Sequence, residues 1–204
     1  MKNNKTKRMV LVAFFIAIEI VLAMTPLGYI PVGPIRATTI HIPVIIASLV
    51  LGYKEGAVIG LVFGLTSLFN NTFNPTALSF VFSPFVEIGG FNGNFASLII
   101  VLAPRVLLGI TPYFFLKLFN KINTNISLFV SSILSTLIHT FLVLGLIVIF
   151  FGPQFADLRG TDMSGVITFI IGIITTNGIV EAIVAGVACT AVFNALSHVY
   201  TGEE

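Results

Sequence analysis

Four ionisable residues lie inside long apolar runs of this chain: Glu19, Arg105, His139 and Glu181, with Asn177 one helical turn before the last of them. A charged side chain at mid-bilayer costs at least about 2.5 kcal/mol on insertion scales, so such residues mark a functional interior or pair with one another. Arg105 follows Pro104 about ten residues into its run, which at about 1.5 Å per residue places it roughly 15 Å below the start. His139 reaches a similar level from the opposite direction, and Asn177 lies about thirteen residues into the last run. These positions are expected to converge.

Arginine presents a fixed fork of donors that matches a carboxylate, so Arg105 is expected to receive an anionic group. Asn177 and His139 then hydrogen-bond hydroxyl or amide groups, with Glu181 in the same set. The competing reading is structural. Arg105 neutralises Glu181 or Glu19, Asn177 ties two helices together, and His139 is a satisfied core histidine. Arg36, Thr38, Thr39 and His41 sit after a Pro/Gly-rich stretch and close over a ligand or cap their own loop. Asn70, Asn71, Asn92 and Asn94 flank an aromatic loop and suit turns; Asn92 is also taken as a substrate contact.

Enzymatic patterns are weak. Ser135 and His139 are four apart on one helix, a slender basis for a nucleophile and base. There is no Cys/His metal spacing, no phosphate loop and no paired carboxylates. The single cysteine, Cys189, lies in an apolar run and reads as a buried, inert thiol.

The elements that must position these residues are membrane helices. The chain has 204 residues, of which 56% are hydrophobic and only 9% charged, with a mean hydropathy of +1.07. Soluble domains carry about 25% charged residues, so this chain cannot cover itself in water. Spans need about 20 apolar residues as helices. Continuous apolar runs without alternation exclude a barrel. The expectation is an all-α integral membrane protein in one domain, a bundle of six helices near residues 7–25, 40–51, 57–69, 95–119, 126–151 and 164–196. The basic start and apolar core of the first run are like a signal peptide. The run is long and lacks a small-x-small site, so it is read as a span.

Span four is expected to be interrupted at Pro104-Arg105 and Thr111-Pro112. Residues 52–56 are read as a tight turn, 152–161 as a polar loop. Residues 70–94, with Phe73, Phe80, Phe82, Phe85 and Phe91, are read as a segment folded back over the bundle. Gly56, Gly60 and Gly64 form a small stripe for close helix contact.

Basic residues set the orientation. Lys2, Lys5, Lys7, Arg8, Lys54, Lys117 and Lys121 all fall on one side if the N-terminus is cytoplasmic. Six spans return the C-terminus there. The long loops after helices one and three then face outward, over an outward-facing pocket. Ala13 and Ala17 form a small face on the first helix, open to a close-packing membrane partner. Glu19 lies about 200° from Ala17 and points away from that face. No cytosolic loop is long enough for a nucleotide site, and nothing suggests a nucleic-acid partner.

The stretches Thr38-Thr39-Ile40-His41-Ile42-Pro43, Leu51-Gly52-Tyr53-Lys54-Glu55-Gly56 and Pro104-Arg105-Val106-Leu107-Leu108-Gly109, with Ala13-x-x-x-Ala17, resemble the substrate-binding S component of energy-coupling factor (ECF) transporters. The resemblance covers essentially the whole chain. It implies a vitamin-binding subunit in the cell membrane, without a cofactor of its own. Its partners are a transmembrane T component, docked on Ala13 and Ala17, and two ATPases that hydrolyse the ATP. It further implies that the subunit topples to carry the vitamin inward. The family's pocket, lined by the first outer loop and spans four to six, corresponds here to Arg36, Thr39, His41, Arg105, His139 and Asn177. An interior arginine with Asn and Thr suits a small hydroxylated acid, and residues 33–65 look most like the pantothenate type. Folate, a vitamin B6 form and riboflavin are alternatives. A different class, an autonomous proton-coupled carrier using Glu19 or Glu181, is disfavoured by the lack of two equivalent halves.

Overall fold

A computed structural model describes residues 2–32 and 35–201, with side chains at 5–28 and 38–196. Helix α1 (Lys2–Met24) leads into a hairpin of β1 (Tyr29–Val32) and β2 (Ile35–Thr38), in which Tyr29 pairs with Thr38. Helices α2 (His41–Leu51) and α3 (Tyr53–Phe73) follow. A 3-10 turn (Ser79–Val81) and a second hairpin, β3 (Glu87–Ile88) with β4 (Phe91–Asn92), precede α4 (Phe95–Leu118). Helix α5 (Thr124–Arg159) and α6 (Met163–Ile173) come next, and a π turn (Ile174–Gly178) joins α6 to α7 (Ile179–Thr201). Among the described residues, Tyr53–Phe73, Phe95–Leu118, Thr124–Arg159 and Met163–Leu196 are long and apolar enough to cross a bilayer, whereas α2 is a shorter apolar helix of 11 residues. The chain is an all-α, multi-pass membrane protein.

Several boundaries differ from the sequence expectation. Gly52 turns the chain in one residue, at φ 101°, so α3 starts at Tyr53 and residues 53–56 are helix. A residue with a Cβ would be strained there. Helix α3 also runs on through residues 70–73. Helix α4 is not interrupted: Pro104 and Pro112 both sit inside it. A proline removes one helical hydrogen bond, but neighbouring groups in a membrane bundle can take over the freed carbonyl. Asn94 and Ser97 start α4 with a capping box.

Residues 152–159 are not a loop. Helix α5 continues through Gly152 and Pro153 to Arg159, because Phe155 and Ala156 bury in the core. Gly160, in the left-handed conformation, ends the helix. Arg159 lies over the Phe169 ring, 3.7 Å from its centroid.

In the segment between α3 and α4 only part of the aromatic set is buried. Phe80 is fully buried and its carbonyl accepts from the Ser97 hydroxyl at 2.9 Å. Asn71 donates to the Ser67 carbonyl and accepts from Ser79. Phe73 and Phe85 are 66% and 76% exposed. An apolar ring gains little by packing inward when the outside is lipid, so their apolarity did not require burial.

Two apolar cores result. One gathers Phe15, Ile40, Ile45, Ile59, Phe63, Leu108 and Leu128; the other gathers Phe80, Ile100, Val143, Ile147, Phe151, Phe155 and Ile170. Helices α3 and α4 meet backbone to backbone. A Cβ on Gly56 would strike the Gly109 carbonyl, one on Gly60 the Arg105 carbonyl, and one on Gly64 the Leu102 side chain. The N-terminal part of α1 is tied to the α2–α3 turn: Arg8 donates to the Leu51 carbonyl and pairs with Glu55 at 2.8 Å.

Gly60→Val is therefore expected to force α3 from α4 at Arg105 and to destabilise the protein by about 1–3 kcal/mol, read by thermal unfolding in detergent. Gly145→Ala, at a position with open space, is the control. Asp162 caps α6, accepting from the Gly165 N–H and the Ser164 hydroxyl, which hold its carboxyl below the ordinary value. Its contribution is thus present above the ordinary aspartate pKa and is lost as pH falls through the lowered folded value. Asp162→Asn is expected to flatten that acid limb of the unfolding profile.

Candidate ligand-binding site

The second core borders a cavity of about 140 Å³. Its walls divide by chemistry. Leu78, Val143, Leu144, Ile147, Phe155, Ile170 and Ile173 are apolar; Thr38, Arg105, His139, Thr140, Asn177 and Glu181 supply the polar groups. An apolar enclosure with a few placed polar groups is the usual form of a small-molecule site.

Arg105 is positioned by its predecessor in the chain. Pro104 has no N–H, so the Ile100 carbonyl lacks its helical donor. The Arg105 Nη1 donates to that carbonyl at 2.7 Å. The guanidinium lies between two rings, 5.6 Å from the Phe63 centroid and 5.4 Å from that of Phe82. Each such cation–π contact contributes about 0.5–2 kcal/mol, more when desolvated. Gly60 permits the close α3–α4 approach that brings Phe63, three residues on, to this position. The carbonyl and the two rings named here carry no formal charge.

His139 projects from α5 against Phe63, with ring centroids 6.1 Å apart, and its Nε2 has no hydrogen-bond partner. Asn177 comes from the π turn. There the Thr175 and Thr176 hydroxyls fold back onto the Ile171 and Gly172 carbonyls, and Gly178 packs near the Thr140 methyl. A π turn widens a helix locally and often occurs at functional sites; here it faces Asn177 into the cavity. Glu181, one turn on, accepts from the Thr38 N–H at 3.1 Å, linking α7 to the end of the first hairpin.

Arg105, His139, Asn177 and Glu181 thus line one space, together with Thr38. The other sequence candidates lie elsewhere. The Thr39 hydroxyl donates to the Leu27 carbonyl at 2.6 Å, capping its own loop. His41 is buried at the head of α2, outside the cavity lining, with its Nε2 unpartnered. Asn92 is exposed on β4, away from the cavity. The Arg36 side chain lies outside the described residues.

Phe63, Phe82 and Thr140 were not anticipated as parts of the site. Phe82 and Phe63 each sit in phenylalanine-bearing apolar stretches, and nothing in their spacing distinguishes them from packing residues. Glu19 is fully buried and neither of its oxygens has a hydrogen-bond partner, so it does not neutralise Arg105. Ser135 Oγ and His139 Nε2 are likewise unpartnered, so these two atoms do not form a nucleophile–base contact. Ala13 and Ala17 are exposed on α1, beside exposed Val10, Phe14 and Val21.

Comparison with known proteins agrees with this architecture. Residues 7–193 match the family described as ECF transporter, substrate-specific component. The chain is 36% identical over 202 residues to the pantothenic acid transporter PanT of Lactococcus lactis subsp. cremoris (strain MG1363), covering 97% of both chains. It is 31% identical over 208 residues to the pantothenate transporter PanT of Leuconostoc mesenteroides subsp. mesenteroides, covering 96% of this chain and 95% of that one. With its match extending over nearly its whole length, the chain belongs to the substrate-specific components of ECF transporters, subunits that bind a transported substrate and are not enzymes.

Proposed function

We propose that this subunit captures pantothenate from outside the cell and hands it to an energised partner complex. The observation that carries this reading is the convergence of Arg105, His139, Asn177 and Glu181 on one cavity whose remaining wall is apolar. Pantothenate has a carboxylate at one end, an amide in the middle, and hydroxyls beside a gem-dimethyl carbon at the other. The carboxylate pairs with Arg105. His139 and Asn177 serve the amide and a hydroxyl, and the gem-dimethyl carbon faces the apolar wall. The names of the two relatives support the same vitamin.

The chain has six spans, counting α1 and the short α2, with both termini cytoplasmic and the two hairpins outside. Arg36, Thr39 and Asn92 act from the outer loops, and His41 from the head of α2, when the ligand is enclosed. Ala13 and Ala17 give a T component close access to α1, and two ATPases supply the energy as the subunit topples. The exposed alanines on one side of α1 and the buried Glu19 on the other favour this division of faces.

Arg105→Ala is expected to weaken pantothenate binding at least about 30-fold, because truncating one partner of a buried charge pair costs about 2–5 kcal/mol. Titration calorimetry on the purified subunit, with folate, pyridoxine and riboflavin as comparison ligands, reads this directly. Unchanged affinity rejects Arg105 as the anchor, and tighter binding of another vitamin rejects pantothenate. Ala13→Trp with Ala17→Trp is expected to abolish co-purification of a T component and ATPases while leaving ligand affinity within about twofold. Intact assembly in that variant rejects the docking face.

A further inference from the structure

One polar group of pantothenate still lacks a partner in the proposed fit. The vitamin carries two hydroxyls flanking its gem-dimethyl carbon, and Arg105, His139 and Asn177 serve the carboxylate, the amide and one hydroxyl. The other hydroxyl also lies beside the methyl groups, so its partner must be a polar group bordering the apolar wall. Glu181 sits against the first hairpin, its Oε1 accepting from the Thr38 N–H. Along α5 the cavity is lined by His139, Thr140, Val143, Leu144 and Ile147. Thr140 stands at the boundary of that wall, one helical turn before Val143 and Leu144 on the same face.

Thr140 also differs from other threonines in these helices. A threonine inside a helix can satisfy its hydroxyl on a carbonyl one turn earlier. Thr66, Thr136, Thr168 and Thr190 do so, at 2.8–3.0 Å. Thr140 makes no hydrogen bond among the described residues. Neither does Thr111, but the Thr111 oxygen is sealed within the protein, whereas the Thr140 oxygen is accessible. The other branch of the Thr140 side chain is committed. A Cβ on Gly178 would stand 3.3 Å from the Thr140 methyl, so that methyl packs toward the π turn beside Asn177. The hydroxyl is the branch left for the cavity.

We infer that Thr140 is a specificity-determining residue: its hydroxyl bonds the second pantothenate hydroxyl, at the edge of the wall that takes the gem-dimethyl group. This inference rests on the proposed function and deepens it. A threonine hydroxyl both donates and accepts, so either direction of the bond serves. A site built to bond a ligand hydroxyl rejects the analogue without it, because its own polar group is then left unpaired.

Titration calorimetry on the purified full chain with two ligands tests this. One is pantothenate. The other is N-(tert-butylacetyl)-β-alanine, which keeps the carboxylate, the amide and the branched carbon but lacks both hydroxyls. Thr140→Val keeps the branched shape and removes the hydroxyl. It is expected to weaken pantothenate binding about tenfold and binding of the analogue by no more than about twofold. Thr140→Ser keeps the hydroxyl and is expected to bind pantothenate within about threefold of the unaltered protein. Thermal unfolding in detergent confirms that both variants fold. Unchanged pantothenate affinity in Thr140→Val, an equal loss for both ligands, or an equal loss in Thr140→Ser overturns the inference and leaves the proposed function standing. If the unaltered subunit does not bind pantothenate, the proposed function falls and this assignment falls with it.

Discussion

Everything in the site depends on holding a guanidinium in an apolar interior. A buried cation alone is heavily penalised. Pro104 and Arg105 meet this constraint within two residues. Proline leaves the Ile100 carbonyl without a donor, and the arginine supplies one at 2.7 Å. Phe63 and Phe82 offer the faces of their rings. The carbonyl and the rings attract the cation without carrying a formal charge.

The helices are arranged around that requirement. The glycine stripe of α3 meets the backbone of α4 at Gly109 and Arg105, fixing the depth of the guanidinium. Helix α5 presents His139 from the other side, and the π turn presents Asn177. The Thr38 N–H to Glu181 bond links the first hairpin to α7 at the cavity margin. The outward face of α1, with Ala13 and Ala17, stays clear of all this. In the proposed function, ligand contact falls to the cavity and partner contact to a face of α1 outside its lining.

Much of this was legible in the sequence, for identifiable reasons. Ionisable residues in lipid are costly enough that Arg105, His139 and Glu181 stood out without any structure. The Gly56, Gly60 and Gly64 spacing announced close packing, and the structure gives it a partner in α4. Prolines misled. In water Pro104, Pro112 and Pro153 would each argue for a helix break, yet all three lie within helices because neighbouring groups and buried side chains offset the missing bond. Aromatic burial misled as well, since lipid accepts Phe73 and Phe85 on the outside. The π turn had no signal in apolar periodicity, and Thr39 and Asn92 proved to lie at loop positions that sequence order alone could not separate from the cavity.

The central claim of the proposed function is that Arg105 receives the carboxylate of the ligand. The most direct measurement compares pantothenate with pantothenol, its analogue with a hydroxyl in place of the carboxylate, by titration calorimetry on the unaltered subunit. Pantothenate should bind at least about 30-fold more tightly, the loss of a buried charge pair being about 2 kcal/mol or more. Equal affinities would contradict the claim, because the guanidinium would then have no anion to receive.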